Sequence, residues 1–207
     1  MTAPRLLQPA NFGNVPQGTS SSAKNFTLTN NQSVALNIAS ITTGNPEYTQ
    51  TNTCGSNVAA KGHCTISVTF TPSIIGTETG TLSVADNASN SPQTAALTGT
   101  GIVQAKVAPT SLTFAAQKVG TTSAAKNVTL TNNLSTALTI SSITFTGANA
   151  ADFGQTNTCG SSLAAKSTCT IGVTFTPSAK GTRTATLNVN DSANNSPQTA
   201  SLTGTGK

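Results

Sequence analysis

The side chains of this 207-residue chain that could do chemistry are few: four cysteines, a single histidine, five acids and ten bases. The cysteines fall as two pairs, Cys54/Cys64 and Cys159/Cys169, each spaced by ten. A structural zinc site wants four ligands with close C-x2-C pairs. Each pair here offers two thiols, and His63 beside the first is replaced by Thr168 beside the second. A catalytic thiol needs a base to take its proton, and the second pair has none at that place. The pattern therefore favours two disulfides over free thiols, and both over a metal. In each pair the first cysteine ends one expected strand and the second opens the next. Two strand ends joined by a short loop can bring Cα atoms to the roughly 5–6 Å a disulfide needs. An eleven-residue closed loop would add about 2.5–3 kcal/mol on the chain-entropy account. Such bonds imply an oxidising location, periplasmic or extracellular.

The remaining candidates read as structure. No nucleophile elbow, zinc-protease helix motif or phosphate-binding glycine loop is present. One histidine leaves little room for a nucleophile–base pair, so no catalytic residue is assigned and His63 reads as a surface loop residue. Asp86 and Asp191 occupy matching places at the ends of two expected strands. One carboxylate per loop is too few for a calcium cage, so a turn-capping role is expected. Lys24 and Lys126 also match, but the last expected strand, Gln93 to Thr100, has no Asn or Asp for an isopeptide bond. The sequons Asn25-Phe26-Thr27 and Asn127-Val128-Thr129 matter only in a host that glycosylates them. Neither a metal nor a cofactor is expected.

The elements that must position these residues come in duplicate. Thr51-Asn52-Thr53-Cys54-Gly55-Ser56 recurs as Thr156 to Ser161, and Val68-Thr69-Phe70-Thr71-Pro72-Ser73 as Val173 to Ser178, both 105 residues on. Leu97-Thr98-Gly99-Thr100-Gly101 recurs as Leu202 to Gly206 at the same offset. Earlier in the repeat, Thr27-Leu28-Thr29-Asn30-Asn31 matches Thr129 to Asn133 at 102. The second copy thus carries three extra residues between Ile143 and Gln155, near Gly147-Ala148-Asn149, and a surface loop is where such an insertion is cheap. Solenoid repeats run at about 20–50 residues, so a repeat of this length is a whole domain. The boundaries read as 1–101 and 102–207.

Within a copy, Thr65-Ile66-Ser67-Val68-Thr69-Phe70 alternates strictly, as a half-buried strand does. Similar runs place about seven strands, near 9–13, 23–29, 35–42, 47–53, 64–71, 79–86 and 93–100. Asn30-Asn31, Gly76, Asn87 to Pro92 and Gly99 read as turn punctuation. No window is convincingly helical; Ala148 to Phe153 offers one turn at most. The fold class expected is all-β, two tandem immunoglobulin-like seven-stranded β-sandwiches. The junction Ile102 to Pro109 lacks Gly/Ser flexibility and suggests a short stiff joint and an extended rod.

Composition narrows the function classes. Charged residues make up 7% and aromatics 4%, against about 25% charged in an average soluble protein. The net charge of +5 falls wholly in residues 102–207, since residues 1–101 carry three of each sign. The basic residues are scattered singly with no aromatics interleaved, so nucleic acid is not expected as a partner. No apolar run is long enough to cross a membrane as a helix. Met1-Thr2-Ala3-Pro4-Arg5-Leu6-Leu7 has no signal-peptide h-region, and the chain reads as a fragment of a longer secreted parent.

The run Phe12-Gly13-Asn14-Val15-Pro16-Gln17-Gly18-Thr19, the cysteine pair, Val68 to Pro72 and the closing Leu97 to Gly101 resemble bacterial choice-of-anchor D repeats. These are related to the abnormal-spindle/hydin type of immunoglobulin-like domain. The second copy departs at Ala115-Ala116-Gln117-Lys118, which puts the shape of one turn in question. The resemblance covers nearly the whole chain. It implies a seven-stranded sandwich akin to the major-sperm-protein and pilus-chaperone folds, found in tandem arrays in large secreted bacterial proteins. Eukaryotic relatives act at cilia and centrosomes, but no residue here carries that role across. The functional expectation is a non-catalytic structural or spacer module of an extracellular bacterial protein, of adhesin or fibre type. Its partners would be neighbouring domains of the parent. The alternatives are an accessory module binding cell-surface polysaccharide or protein, and a strand-exchanging fibre subunit, since edges poor in charge lack the usual guards against pairing. An exposed Tyr48 or Phe153 would favour sugar binding; both are expected in the core.

Overall fold

The computed structural model describes Pro4 and residues 8–207. The rest of the run read for a leader, Met1-Thr2-Ala3 and Arg5-Leu6-Leu7, lies outside the described residues. The chain divides into two compact units, Met1–Ile102 and Val103–Lys207.

Alternation makes the strands. In His63–Phe70 the side chains of Ile66, Val68 and Phe70 are fully buried, while Thr65, Ser67 and Thr69 between them keep contact with water. Threonine suits such a half-buried pleat, because its branched Cβ packs while its hydroxyl stays wet. The strands of the first unit are β1 (Ala10–Pro16), β2 (Lys24–Thr29), β3 (Leu36–Thr42), β4 (Tyr48–Asn52), β5 (Asn57–Val58), β6 (His63–Phe70), β7 (Gly76–Asp86) and β8 (Gln93–Ile102). One sheet runs β1-β8-β7-β3-β5 and the other β2-β6-β4. β1 lies parallel to β8, and the other pairs are antiparallel. Both sheets feed one core, which makes this an immunoglobulin-like sandwich. The two-residue β5, inside the cysteine loop, was not foreseen.

The second unit repeats the plan with β9 (Ala105–Ala108), β10 (Ser111–Thr113), β11 (Lys126–Asn132), β12 (Leu138–Thr146), a 3-10 turn (Ala150–Asp152), β13 (Phe153–Asn157), β14 (Ser162–Leu163), β15 (Thr168–Phe175), β16 (Gly181–Asp191) and β17 (Gln198–Gly206). Its sheets run β10-β17-β16-β12-β14 and β13-β15-β11-β9. Part of the three-residue insertion lengthens β12 by Phe145 and Thr146, which pair with Leu187 and Thr186, so it is not a loop change alone. The departure at Ala115–Lys118 likewise alters more than a turn. In the first unit β1 continues along β8 past a bulge at Gly13, whose φ is 69°. In the second, β10 stops at Thr113, and the pairing is carried on by the N–H groups of Phe114 and Gln117 bonding to Thr203 and Thr205.

Each core centres on three rings. Tyr48 stacks on Phe70 at 4.7 Å and meets Phe12 edge-on at 5.4 Å. Phe153 lies 5.1 Å from Phe175 and 5.9 Å from Phe114. The Leu-Thr-Gly-Thr-Gly motif makes room for them. A Cβ on Gly99 would sit 2.5 Å from the Phe70 ring, and one on Gly204 would sit 2.5 Å from that of Phe175. Gly99 is thus an interior strand residue required by a close approach, and not the turn signal it was read as.

Candidate functional site

The cysteines join as Cys54–Cys64 and Cys159–Cys169, with Cα separations of 4.9 and 5.0 Å. Each bond ties the residue two past the end of β4 or β13 to the second residue of β6 or β15. Asn52 Oδ1 accepts from the Cys54 N–H at 3.1 Å, and Asn157 does the same for Cys159 at 3.0 Å, which turns each chain toward its partner. All four sulfurs belong to buried residues, so these bonds brace the fold and present no thiol to solvent.

Asp86 and Asp191 act as the turn caps expected. Asp86 Oδ1 accepts from the Ala88 N–H at 2.8 Å, and Asp191 Oδ1 from the Ala193 N–H at 2.9 Å. Burial raises the Asp191 carboxyl above its ordinary range, against hydrogen bonds from Ala193, Gln198 and Ser196 that lower it. His63 is exposed, but it opens β6 and is not a loop residue. Tyr48 and Phe153 are 1% and 6% exposed, so neither offers a ring to a sugar. Lys24 and Lys126 lie over the rings of Phe12 and Phe114 at 6.0 and 5.8 Å. Among the described residues no group of three or more His, Cys, Asp or Glu side chains is placed to hold a metal ion.

Two features escaped the sequence reading. The first is Asn30, fully buried, whose side-chain amide donates to the carbonyls of Val34, Val58 and Ala59 at 2.9, 3.1 and 3.0 Å, while its Oδ1 accepts from Gln32. Asn132 repeats this with Thr136, Leu163, Ala164 and Leu134. It ties the β2–β3 connection to the cysteine loop. The Thr-Asn-Asn repeat was the available signal, and it was spent on a turn.

The second lies at the rim of the aromatic triad. In the second unit Arg183 of β16 donates from Nε to Asp152 at 2.5 Å and from Nη2 to Ser178 at 3.0 Å. Burial pushes the Asp152 carboxyl up, but the hydrogen bonds from Arg183 and Ser178 outweigh it and hold the group below the ordinary aspartate range. In the first unit the same three places are Glu78, Glu47 and Ser73. Glu47 accepts from both the N–H and the hydroxyl of Ser73. Glu78 Oε1 is buried without a partner, while the Glu78 carbonyl accepts from the Tyr48 hydroxyl at 2.9 Å. Burial and the two glutamates push the Tyr48 hydroxyl up to about 12. Comparing the copies at the 105 offset would have shown an acid where its counterpart is a base.

The outer faces differ once more. In the first unit Ser67 of β6 donates to Asn25 at 2.7 Å, and Thr49 and Thr69 share a hydrogen bond at 2.8 Å. The second unit has Gly172 and Gly154 in place of Ser67 and Thr49. A hollow of about 360 Å³ opens at Gly172, lined also by Ala125, Asn127, Thr156, Asn157, Thr158 and Thr170.

No curated protein matches the chain. Among solved structures it is similar to a protein of unknown function from Porphyromonas gingivalis W83, at 8% identity and a TM-score of 0.41, covering 99% of this chain and 100% of that one. It is similar to the ASH/PapD-like domain 7 of human CEP192, at 19% identity and 0.40, covering 50% and 85%. It is also similar to the secreted serine protease VesC from Vibrio cholerae, at 13% and 0.40, covering 86% of this chain but 47% of the protease. None of these scores reaches 0.5, so the family match carries the assignment. The model of the family described as abnormal spindle-like microcephaly-associated, ASPM-SPD-2-Hydin, matches residues 7–94 and 100–199. With two such matches, one in each sandwich, the chain belongs to the ASPM-SPD-2-Hydin (ASH) family.

Proposed function

We propose that the chain is a non-catalytic structural or spacer module of a larger extracellular bacterial protein, surface-bound or secreted, of adhesin or fibre type. Neighbouring domains of the parent are its partners, and the bacterial choice-of-anchor D repeats are the kind of module it would be. The observation that carries this reading is how completely each copy spends its reactive groups on itself. The cysteines are paired and buried, Asp86 and Asp191 cap turns, Asp152 pairs with Arg183, and the core is centred on aromatic rings. Paired cysteines suit an oxidising compartment outside the cell. Hydroxyl-bearing outer faces keep such strands wet without charge.

A second reading, an accessory module for neutral polysaccharide, is favoured by the hollow over Gly172. Its walls carry amides and hydroxyls but no charge, a lining suited to sugar hydroxyls and without a counter-ion for a charged ligand. The experiment that separates the two is a pull-down of the purified tandem on insoluble polysaccharides and on bacterial envelope material. Retention that Gly172→Ser abolishes would make the chain a binding module and sink the spacer reading. No retention at tens of micromolar protein leaves the spacer reading in place.

A further inference from the structure

The rim of the first unit contains a pair of acids, Glu47 and Glu78, where the second unit has an acid and a base, Asp152 and Arg183. Three elements converge there: the β3–β4 connection with Asn45 and Glu47 leading into Tyr48 of β4, the β6–β7 loop with Ser73, and the strand β7 with Glu78. In the second unit the corresponding elements are locked together by one cation. Arg183 grips Asp152 from the 3-10 turn and Ser178 from the β15–β16 loop. In the first unit the loop is still held, because Glu47 takes both the N–H and the hydroxyl of Ser73. The strand, however, brings a second carboxylate where the cation would be. The groups facing Glu78 are Glu47, Asn45 and the Tyr48 hydroxyl. None of them is a cation, and Glu78 Oε1 finds no hydrogen bond.

Two ionised carboxylates in one partly dry site repel, and neither can donate to the other. One proton changes this. A neutral Glu78 is a donor, and an ionised Glu47 beside it is an acceptor. We infer that the first unit carries an acid-set clasp, in which a protonated Glu78 donates to Glu47 and so closes the grip on the β6–β7 loop that Arg183 closes permanently in the second unit. The loop so held is the one that exposes Ile74 and Ile75, at 57% and 58%. In the second unit Ala179 and Lys180 stand in their place. The apolar loop tip and the proton-dependent grip thus occur together in one copy and are both absent from the other.

The sign follows from the Glu78 carboxyl. Burial raises it above the ordinary glutamate value of 4.5, Asn45 lowers it, and Glu47 adds to the rise. A group raised in the folded state gives stability that is complete below its unfolded value and is lost as pH rises through the folded value. The clasp therefore tightens as pH falls from neutral toward 4.5.

The test uses the whole chain. Tyr48 is the only tyrosine and there is no tryptophan, so tyrosine fluorescence and near-ultraviolet tyrosine dichroism report the first unit alone. Thermal midpoints would be read at pH 7.5 and pH 5.0 for the wild type, Glu78→Gln, Glu47→Gln and Glu78→Arg. The wild-type midpoint rises on acidification relative to Glu78→Gln, in the direction set by the raised Glu78 carboxyl. Glu47→Gln removes the same difference. Glu78→Arg raises the midpoint at pH 7.5 by installing the ion pair of the second unit. Hydrogen exchange at the Ser73 amide, corrected for intrinsic rate, slows at pH 5.0 in the wild type and not in Glu78→Gln. An equal acid shift in the wild type and in both glutamine variants, or a lower midpoint at pH 7.5 for a folded Glu78→Arg protein, overturns the clasp.

Discussion

Phe70 stacks on Tyr48 in the first unit much as Phe175 packs on Phe153 in the second, yet the strand passing each triad brings Glu78 in one case and Arg183 in the other. The interior is fixed by volume. Phe70 and Phe175 need the bare backbone of Gly99 and Gly204, and a dense core has no slack for an alternative. The rim is fixed only by whether its charges find partners, and water accommodates several solutions. Tandem copies therefore reverse charge at the rim while the ring triad and the glycine beneath it recur in both.

The comparison breaks most visibly if the shared interior is not shared. Cys54→Ser with Cys64→Ser costs the first unit about 2–5 kcal/mol, and the corresponding pair of changes costs the second unit as much. Calorimetry on the whole chain shows one transition falling each time while the other stays in place. Asn30→Ala and Asn132→Ala each strand one buried and two part-buried carbonyls and cost about 1–3 kcal/mol. Urea unfolding, read by tyrosine fluorescence for the first unit, gives equal losses if the two asparagines do one job. Gly99→Ala forces a methyl into the Phe70 ring and costs about 1–3 kcal/mol, matched by Gly204→Ala.

The rim separates the units by pH. Arg183→Met leaves the Asp152 carboxylate without its cation and main hydrogen-bond donor and lowers the second transition at neutral pH by about 1–3 kcal/mol. The Asp152 carboxyl is held below its ordinary value of 3.8, so its contribution is present above that value and is lost as pH falls below it. The deficit of Arg183→Met therefore shrinks in acid. Asp191→Asn works the other way and is the smallest effect. Burial raises Asp191, so its charge costs stability at neutral pH and the cost fades on acidification. The variant keeps the cap to Ala193 and raises the second transition by a degree or so at pH 7.

Strand alternation, the repeat offset and the cysteine spacing were legible, because period, self-similarity and loop length are one-dimensional properties. Ile66, Val68 and Phe70 announce a buried face without any tertiary knowledge. Gly99 was misread because a glycine needed for a ring 29 residues away looks in sequence like a glycine needed for a turn. Asn30 was misread for the same reason: its acceptors Val58 and Ala59 lie across the sandwich. Arg183 and Asp152 are 31 residues apart, and only the fold makes them neighbours. The positions of Glu47, Glu78, Asp152 and Arg183 were in hand from the repeat, so the charge reversal was visible, but its partnership was not.

Two separately pinned copies of one sandwich are the central claim, and the chain supplies a direct test of it. Lys61 lies between Cys54 and Cys64, and Lys166 lies between Cys159 and Cys169. The protein would be secreted into an oxidising compartment, alkylated without reductant, denatured, cut with trypsin and weighed by mass spectrometry. The expected result is two linked peptide pairs, one joining the halves around Lys61 and the other those around Lys166, with no alkylated cysteine. Alkylated thiols at any of the four positions, or a link between a cysteine of the first copy and one of the second, would contradict the account.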